Sequence, residues 1–280
     1  MTGLPIIFIV CLGSAIIAMG GFALTRKLIK PIDIGEHQTF LDAMFNIVGT
    51  LVSLILGLLV AASLEQYQDL ERSIDSEASS VAEVYRLSRG LPEPSRTQIQ
   101  NLCQRYCQLV VSHEWPAMAK GKASPEVFET FCMLNDESVL FRPNNDGESN
   151  IQSYMLETIN SVGEGRRERM LSLTNTRQQL LGPVLLVGAL IVFVFAFFYV
   201  KQNSLFHTVV IAFVAIALGG NLALIYLLSK PFEGEWKIQP RPFLLNINAR
   251  QRLKDSTLLD PVKARSIPFS ELKEPAAVEP

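Results

Sequence analysis

The side chains able to do chemistry are few and scattered. His37, His113 and His207 stand in three separate segments, and neither a Gly-rich phosphate loop nor a G-x-S-x-G turn is present. Cys103 and Cys107 are one helical turn apart, with Cys132 downstream and Cys11 in an apolar N-terminal run. A metal held there would need a fourth ligand. His113 is available, but the spacing fits no zinc pattern. Three aqueous cysteines are an odd count and make no disulfide framework. They read as small buried hydrophobes, and free thiols lean toward a reducing compartment. The acidic series Glu65, Asp69, Glu71, Asp75 and Glu77, with Arg72 among them, follows the surface spacing of a solvated helix rather than the pairing that acid–base work needs. The sequence predicts no enzyme activity, no metal and no cofactor.

A different spacing stands out. Gly49, Ser53, Gly57 and Ala61 recur every four residues and make a narrow stripe of small side chains. Leu51, Ile55, Leu58 and Ala62 fall on the other side. Both sets lie in the uncharged run 44–64, long enough to cross a bilayer as a helix. That run continues without a Pro or Gly break into the densely charged 65–89, so a single rod over 44–89 is predicted, half in lipid and half in water. The small stripe is either a seam between packed helices or the wall of a pore.

The elements that must position this rod follow from composition. The chain has 280 residues, 49% of them hydrophobic, and a mean hydropathy of +0.25. The excess is concentrated in four runs at about 5–24, 44–64, 180–200 and 208–228, each near the ~20 residues of a spanning helix. The first run lacks the basic start of a signal peptide and reads as a membrane helix. The formal net charge is −2 and no basic stripe carries interleaved aromatics, which argues against nucleic acid. The expected fold is an all-α membrane protein: four transmembrane helices and an aqueous helical domain continuous with the second and third. The expected divisions are a first hairpin over 1–64, the aqueous domain over 65–179, a second hairpin over 180–228, a membrane-proximal turn and short helix over 229–255, and a disordered tail over 256–280.

Local signals add detail. Gly13, Ser14, Ala18, Gly20 and Gly21 suit close approach of the first helix to a neighbour. The run from Gly90 to Pro94 stops the rod, and Ser95 is expected to cap the next helix, whose apolar stripe is Leu102, Tyr106, Leu109 and Val110. The run from His113 to Pro116 should break or kink it. Ser124 with Pro125 starts another amphipathic helix bearing Val127, Phe128, Phe131 and Leu134. A loop over 141–150 precedes a helix over about 151–179, on which Arg166, Arg167 and Arg169 read as a solvated face, or as an anion-attracting ring in an oligomer. Gly182-Pro183 starts the third membrane helix and Phe193, Phe195, Phe197, Phe198 and Tyr199 form an aromatic belt at its far end. A tight connection over 201–207 leads to the fourth, where Asn221 is either an interhelical contact or part of a permeation path. A short helix is expected over 244–254. Loop charges do not settle which side the aqueous domain occupies.

The pattern LGLLVAASLEQYQDLERSIDSEASSVAEVYRLSRGLPEP, then EWPAMAKGKASP, then KPFEGEWKIQPRPF, resembles the bestrophin-like family of membrane proteins over about residues 40–245. That family is distantly similar to bestrophins, which are pentameric anion channels whose second membrane helix lines a narrow neck. The resemblance implies a homo-oligomer, a pentamer by analogy, in a bacterial-type inner membrane, conducting small inorganic ions, with its aqueous domain in the cytoplasm. Tyr67, Glu71, Trp115, Pro231, Phe232 and Gly234 carry the match. With Tyr67 as anchor, the neck falls near Ser53, Gly57 and Ala61, where bestrophins hold bulky apolar residues. The bestrophin Arg-Trp-Trp element is replaced by Asp69-Leu70, and the acidic calcium-binding run is missing. The alternative is a non-conducting scaffold or sensor whose helical domain binds a protein partner.

Overall fold

The computed structural model describes residues 3–28, 38–174, 187–194, 205–234 and 236–255. Among them there is no strand. In chain order the helices are α1 (Gly3–Leu28), α2 (Gln38–Leu87), α3 (Ser95–Leu109), α4 (Trp115–Met118), α5 (Pro125–Leu140), α6 (Asp146–Leu171), α7 (described over 187–194), α8 (Leu205–Leu228) and α9 (Arg241–Asp255). The rod is real and longer than its apolar half suggested. The 50 residues of α2 span about 75 Å at 1.5 Å per residue. Three helices hold stretches long and apolar enough to cross a membrane: Ile7–Leu24 in α1, a window within Ala43–Gly90, and Thr208–Leu228 in α8. The fourth expected span is described only over 187–194. Gly182-Pro183, the aromatic crowd over 195–199, the loop around His37, the connection at 201–204 and the tail from 256 lie outside the described residues.

The chain divides into two compact units, one comprising 1–73, 118–122 and 167–239, the other 74–117, 123–166 and 240–280. In the first, α1 lies along α8. Ala18 and Phe22 pack on Ile211 and Ala215, and Ser14 Oγ sits 2.9 Å from the Ala215 carbonyl and 2.8 Å from that of Cys11, sharing one proton between neighbour and own helix. A Cβ at Gly219 would stand 2.4 Å from Ser14 Oγ and 2.8 Å from its Cβ, so the helices meet there only because residue 219 has no side chain. The small residues of the first helix thus do what their spacing implied, at Ser14 and Ala18. A separate cluster joins Leu56 of α2, flanked by Val52, Leu59 and Val60, to Ala189 and Val192 of α7 and Leu218 and Ile225 of α8.

In the second unit, Val84, Ile99, Tyr106, Val127, Leu134 and Ile159 are wholly buried. Each aliphatic among them contributes about 1.5–3 kcal/mol. The start of α3 departs from expectation. Pro94, not Ser95, occupies the cap position, and Glu93 meets one orphan donor, its carboxylate accepting from Thr97 N–H (3.2 Å) and also from Thr97 O–H (2.7 Å). These bonds, with Arg96 beside them, hold the Glu93 carboxyl below the usual carboxylate range. Ser124 does stand at the cap of α5 with Pro125 next, though its hydroxyl makes no capping bond. The expected break at His113 is instead a π-helical turn over Val110–Glu114 that leads directly into α4. The loop before α6 is shorter than expected, because helix begins at Asp146, and α9 starts at Arg241 rather than 244.

Candidate functional site

The membrane half of α2 carries three stripes. Val52, Leu56, Leu59 and Val60 form the covered seam, with Ser63 buried one turn on. Ser53, Gly57 and Ala61 are exposed, and among the described residues a Cβ added at Gly49 or Gly57 would meet nothing within 4 Å. Leu51, Ile55 and Leu58 are exposed as well. The seam is therefore made by large side chains one residue away from the small stripe, and the small stripe is not buried by intrachain packing. The Asn221 amide donates to the Ala217 carbonyl of its own helix at 3.0 Å.

Where α2 passes out of its apolar half, the residues that carried the family pattern converge. The Tyr67 hydroxyl donates to the Trp236 carbonyl at 2.8 Å. The turn that presents this carbonyl is closed by Ile238 N–H donating to the Pro231 carbonyl at 2.8 Å, by buried Phe232, and by Gly234, whose φ of 74° lies in the left-handed region that favours glycine. Lys230 donates to Glu233 (2.8 Å) and lies over the Tyr226 ring, and these partners raise its pKa above the ordinary lysine value. Glu71, one turn past Tyr67, is exposed. Trp115 belongs to the other unit, where it packs edge-on against Phe243 with ring centres 6.1 Å apart.

Of the charged residues expected at the surface, two are buried and a third is mostly covered. Glu77, read as one of a solvated series, is fully buried and accepts from the Tyr106 hydroxyl at 2.6 Å. A Cβ at Gly165 would come within 2.7 Å of the Glu77 Cβ, so glycine lets α6 approach α2. Arg166 has a side chain only 12% exposed and pairs at 2.6 Å with Glu114, which is fully buried at the end of the π turn. It also lies over Phe128, 5.4 Å from the ring centre. Arg169 is fully buried and donates to Met118 Sδ at 3.1 Å. Only Arg167 of the three arginines is exposed, so neither a solvated face nor an anion-attracting ring is formed by them together. A signal for Glu77 was present in the chain: it falls in phase with Leu70, Ile74, Val81 and Val84, all buried, rather than with Asp69 and Asp75.

The cysteines are free, with Cys103 and Cys107 buried and Cys11 and Cys132 partly so. Burial pushes the Cys107 thiol up to about 12, the Glu77 carboxylate adding to the shift and a hydrogen bond with Asn246 opposing it. Among the described residues no cluster of His, Cys, Asp and Glu could hold a metal ion.

Long apolar helices joined to a charged helical region define an all-helical integral membrane protein. The chain belongs to the bestrophin-like family, matching the bestrophin-like domain over residues 12–243. The match takes in most of the first membrane helix as well as the region from 40 onward. The fold is shared with crystal structures of substituted forms of a bacterial bestrophin homolog from Klebsiella pneumoniae. One has a TM-score of 0.62 at 13% identity, covering 90% of this chain and 98% of that one. Another has a TM-score of 0.58 at 14% identity with the same coverage. A structure described as a membrane protein, also substituted, matches with a TM-score of 0.60 at 14% identity over 90% of this chain and 96% of that one. No curated protein matches the chain.

Proposed function

We propose that this protein is an oligomeric ion channel conducting anions, its pore lined by residues 44–64 of α2. Ser53, Gly57 and Ala61 would form the wall, flanked by Leu51, Ile55 and Leu58. The observation that carries this reading is that, among the described residues, nothing of the chain lies within 4 Å of a Cβ at Gly49 or Gly57, and Ser53, Gly57 and Ala61 are exposed. Small side chains on a membrane helix leave room for water and ions when copies of that helix surround an axis. The fold shared with a bacterial bestrophin homolog supports a ring of copies, with a pentamer as the family analogy, an inner-membrane location and a cytoplasmic aqueous region. Planar-bilayer recording of the purified protein under a chloride gradient tests the proposal. A reversal potential following chloride is expected, and conductance no greater than in protein-free bilayers refutes it. Gly57→Leu should lower conductance while particle images still show a ring. Loss of the ring would make the stripe a packing seam between copies.

A second reading, a non-conducting scaffold holding a protein partner, draws on the exposed apolar side chains of α5: Phe128, Met133, Val139 and Leu140. It predicts a monomer or dimer by native mass spectrometry. A ring with solvent along α2 removes it.

A further inference from the structure

In the aqueous unit, α2, α3 and α9 enclose a partly open cavity of about 320 Å3, within the size range of small-ligand sites, about 300–1,000 Å3. Most of its lining surface is apolar: Val81 and Cys103, 1% and 2% exposed, and Ile247 of α9 contribute to it, with Tyr85, Gln104 and Asn246 as its uncharged polar groups. Cys107, 3% exposed, is another wall residue. The Asn246 amide is already engaged, donating to the Ala78 carbonyl at 2.8 Å and tying α9 to α2.

The mouth has the opposite character. Arg86 and Arg89 line it, three residues apart, the first in the last turn of α2 and the second just beyond its end, and both are exposed. None of the described lining residues is acidic. Arg86 also pairs with Glu83, which is not a lining residue, while Arg89 makes no ion pair among the described residues. Guanidinium groups present planar donor forks that suit a carboxylate. Beyond the two arginines the described lining holds no further cation for a polyanion, and Val81, Cys103 and Ile247 suit a hydrocarbon body.

We propose that this cavity binds an aliphatic carboxylate, its head held by Arg86 and Arg89 and its hydrocarbon against Val81, Cys103 and Ile247. The site is independent of the pore reading. The same chemistry could come from a fatty acid released by the membrane or from a shorter carboxylate dissolved in the cell.

The test is equilibrium binding of radiolabelled octanoate to the full chain in lipid nanodiscs, with empty nanodiscs as the blank. Saturable binding is expected, displaced by hexanoate but not by octanol or octylamine at equal concentration. Arg86→Gln with Arg89→Gln should weaken it about tenfold or more, the loss of charge-assisted hydrogen bonds. Ala82→Phe, which fills the space from α2, should abolish it while circular dichroism keeps the wild-type helical signal. If a variant unfolds, the competitor panel on the wild-type chain decides alone. The proposal is overturned by no saturable binding above empty nanodiscs, by octanol or octylamine competing as well as hexanoate, or by folded variants that bind like the wild type. A chain-length series separates the sources: affinity rising through palmitate indicates a membrane fatty acid, and a maximum at octanoate or shorter a dissolved one.

Discussion

Arg166→Met removes the guanidinium from a carboxylate that has no access to water. Glu114 is fully buried, its oxygen 2.6 Å from the Arg166 nitrogen, and methionine keeps most of the aliphatic stem. Breaking a buried pair by deleting one partner costs about 3–5 kcal/mol, because the remaining charge stays desolvated. Loss of the stacking over Phe128 adds about 0.5–1 kcal/mol at most. At about 2–4 °C per kcal/mol for a chain near this size, the melting temperature should fall by about 6–24 °C. Trp115 is a suitable reporter, being adjacent in sequence to Glu114 and packed on Phe243. Its fluorescence on heating, in a Trp236→Phe background, follows the aqueous unit. The double variant Glu114→Leu with Arg166→Met should recover most of the loss, since no charge is left in the interior. A drop below about 2 °C for Arg166→Met, or a double variant as unstable as the sum of the two singles, would refute the reasoning.

Four further outcomes follow from the packing. Cys107 should resist maleimide at pH 8 in the folded protein while the partly exposed Cys132 reacts, as read by peptide mass spectrometry, because a thiol raised to about 12 holds almost no thiolate there. The same shift sets a pH slope. The unfolded thiol ionises near 9 and the folded one only near 12, so the stability it contributes is complete below pH 9 and is lost as pH rises through that window. Gly219→Val should destabilise by about 1–3 kcal/mol in thermal melts by overpacking the α1–α8 contact, since the added Cβ would meet both Ser14 Oγ and Cβ. Tyr67→Phe should remove about 0.5–1.5 kcal/mol with the bond to the Trp236 carbonyl and shift the Trp236 emission in a Trp115→Phe background. An unchanged spectrum and melt would mean that this bond does not hold the turn.

What could be read from the sequence, and what could not, divides by the range of the interaction. The rod, the helix start at Pro125, the turn at Gly234 and the close approach at Ser14 depend on residues within a few positions, or on side chains too small to mistake. The buried charges depend on partners far along the chain. Glu77 meets Tyr106 across 29 positions and Arg166 meets Glu114 across 52. A charged residue with no visible partner is ordinarily exposed, so the acidic series and the arginine triplet read as surface. Their mates stand on helices that only the fold brings near.

The stripes of α2 resist the sequence for another reason. In lipid, an apolar side chain is at ease on any face, so periodicity does not tell a packed seam from a lipid-facing or water-facing one. Gly57 and Gly219 look alike in the chain and differ in space, the first open and the second pressed against Ser14. That contrast gives the Gly57→Leu test its meaning. A Cβ at 57 meets none of the described residues of its own chain within 4 Å, so the substitution does not press on the α2–α7–α8 cluster as described. Any change it makes in conductance or assembly reports on what lies outside the chain at that stripe, whether water on an axis or the backbone of another copy.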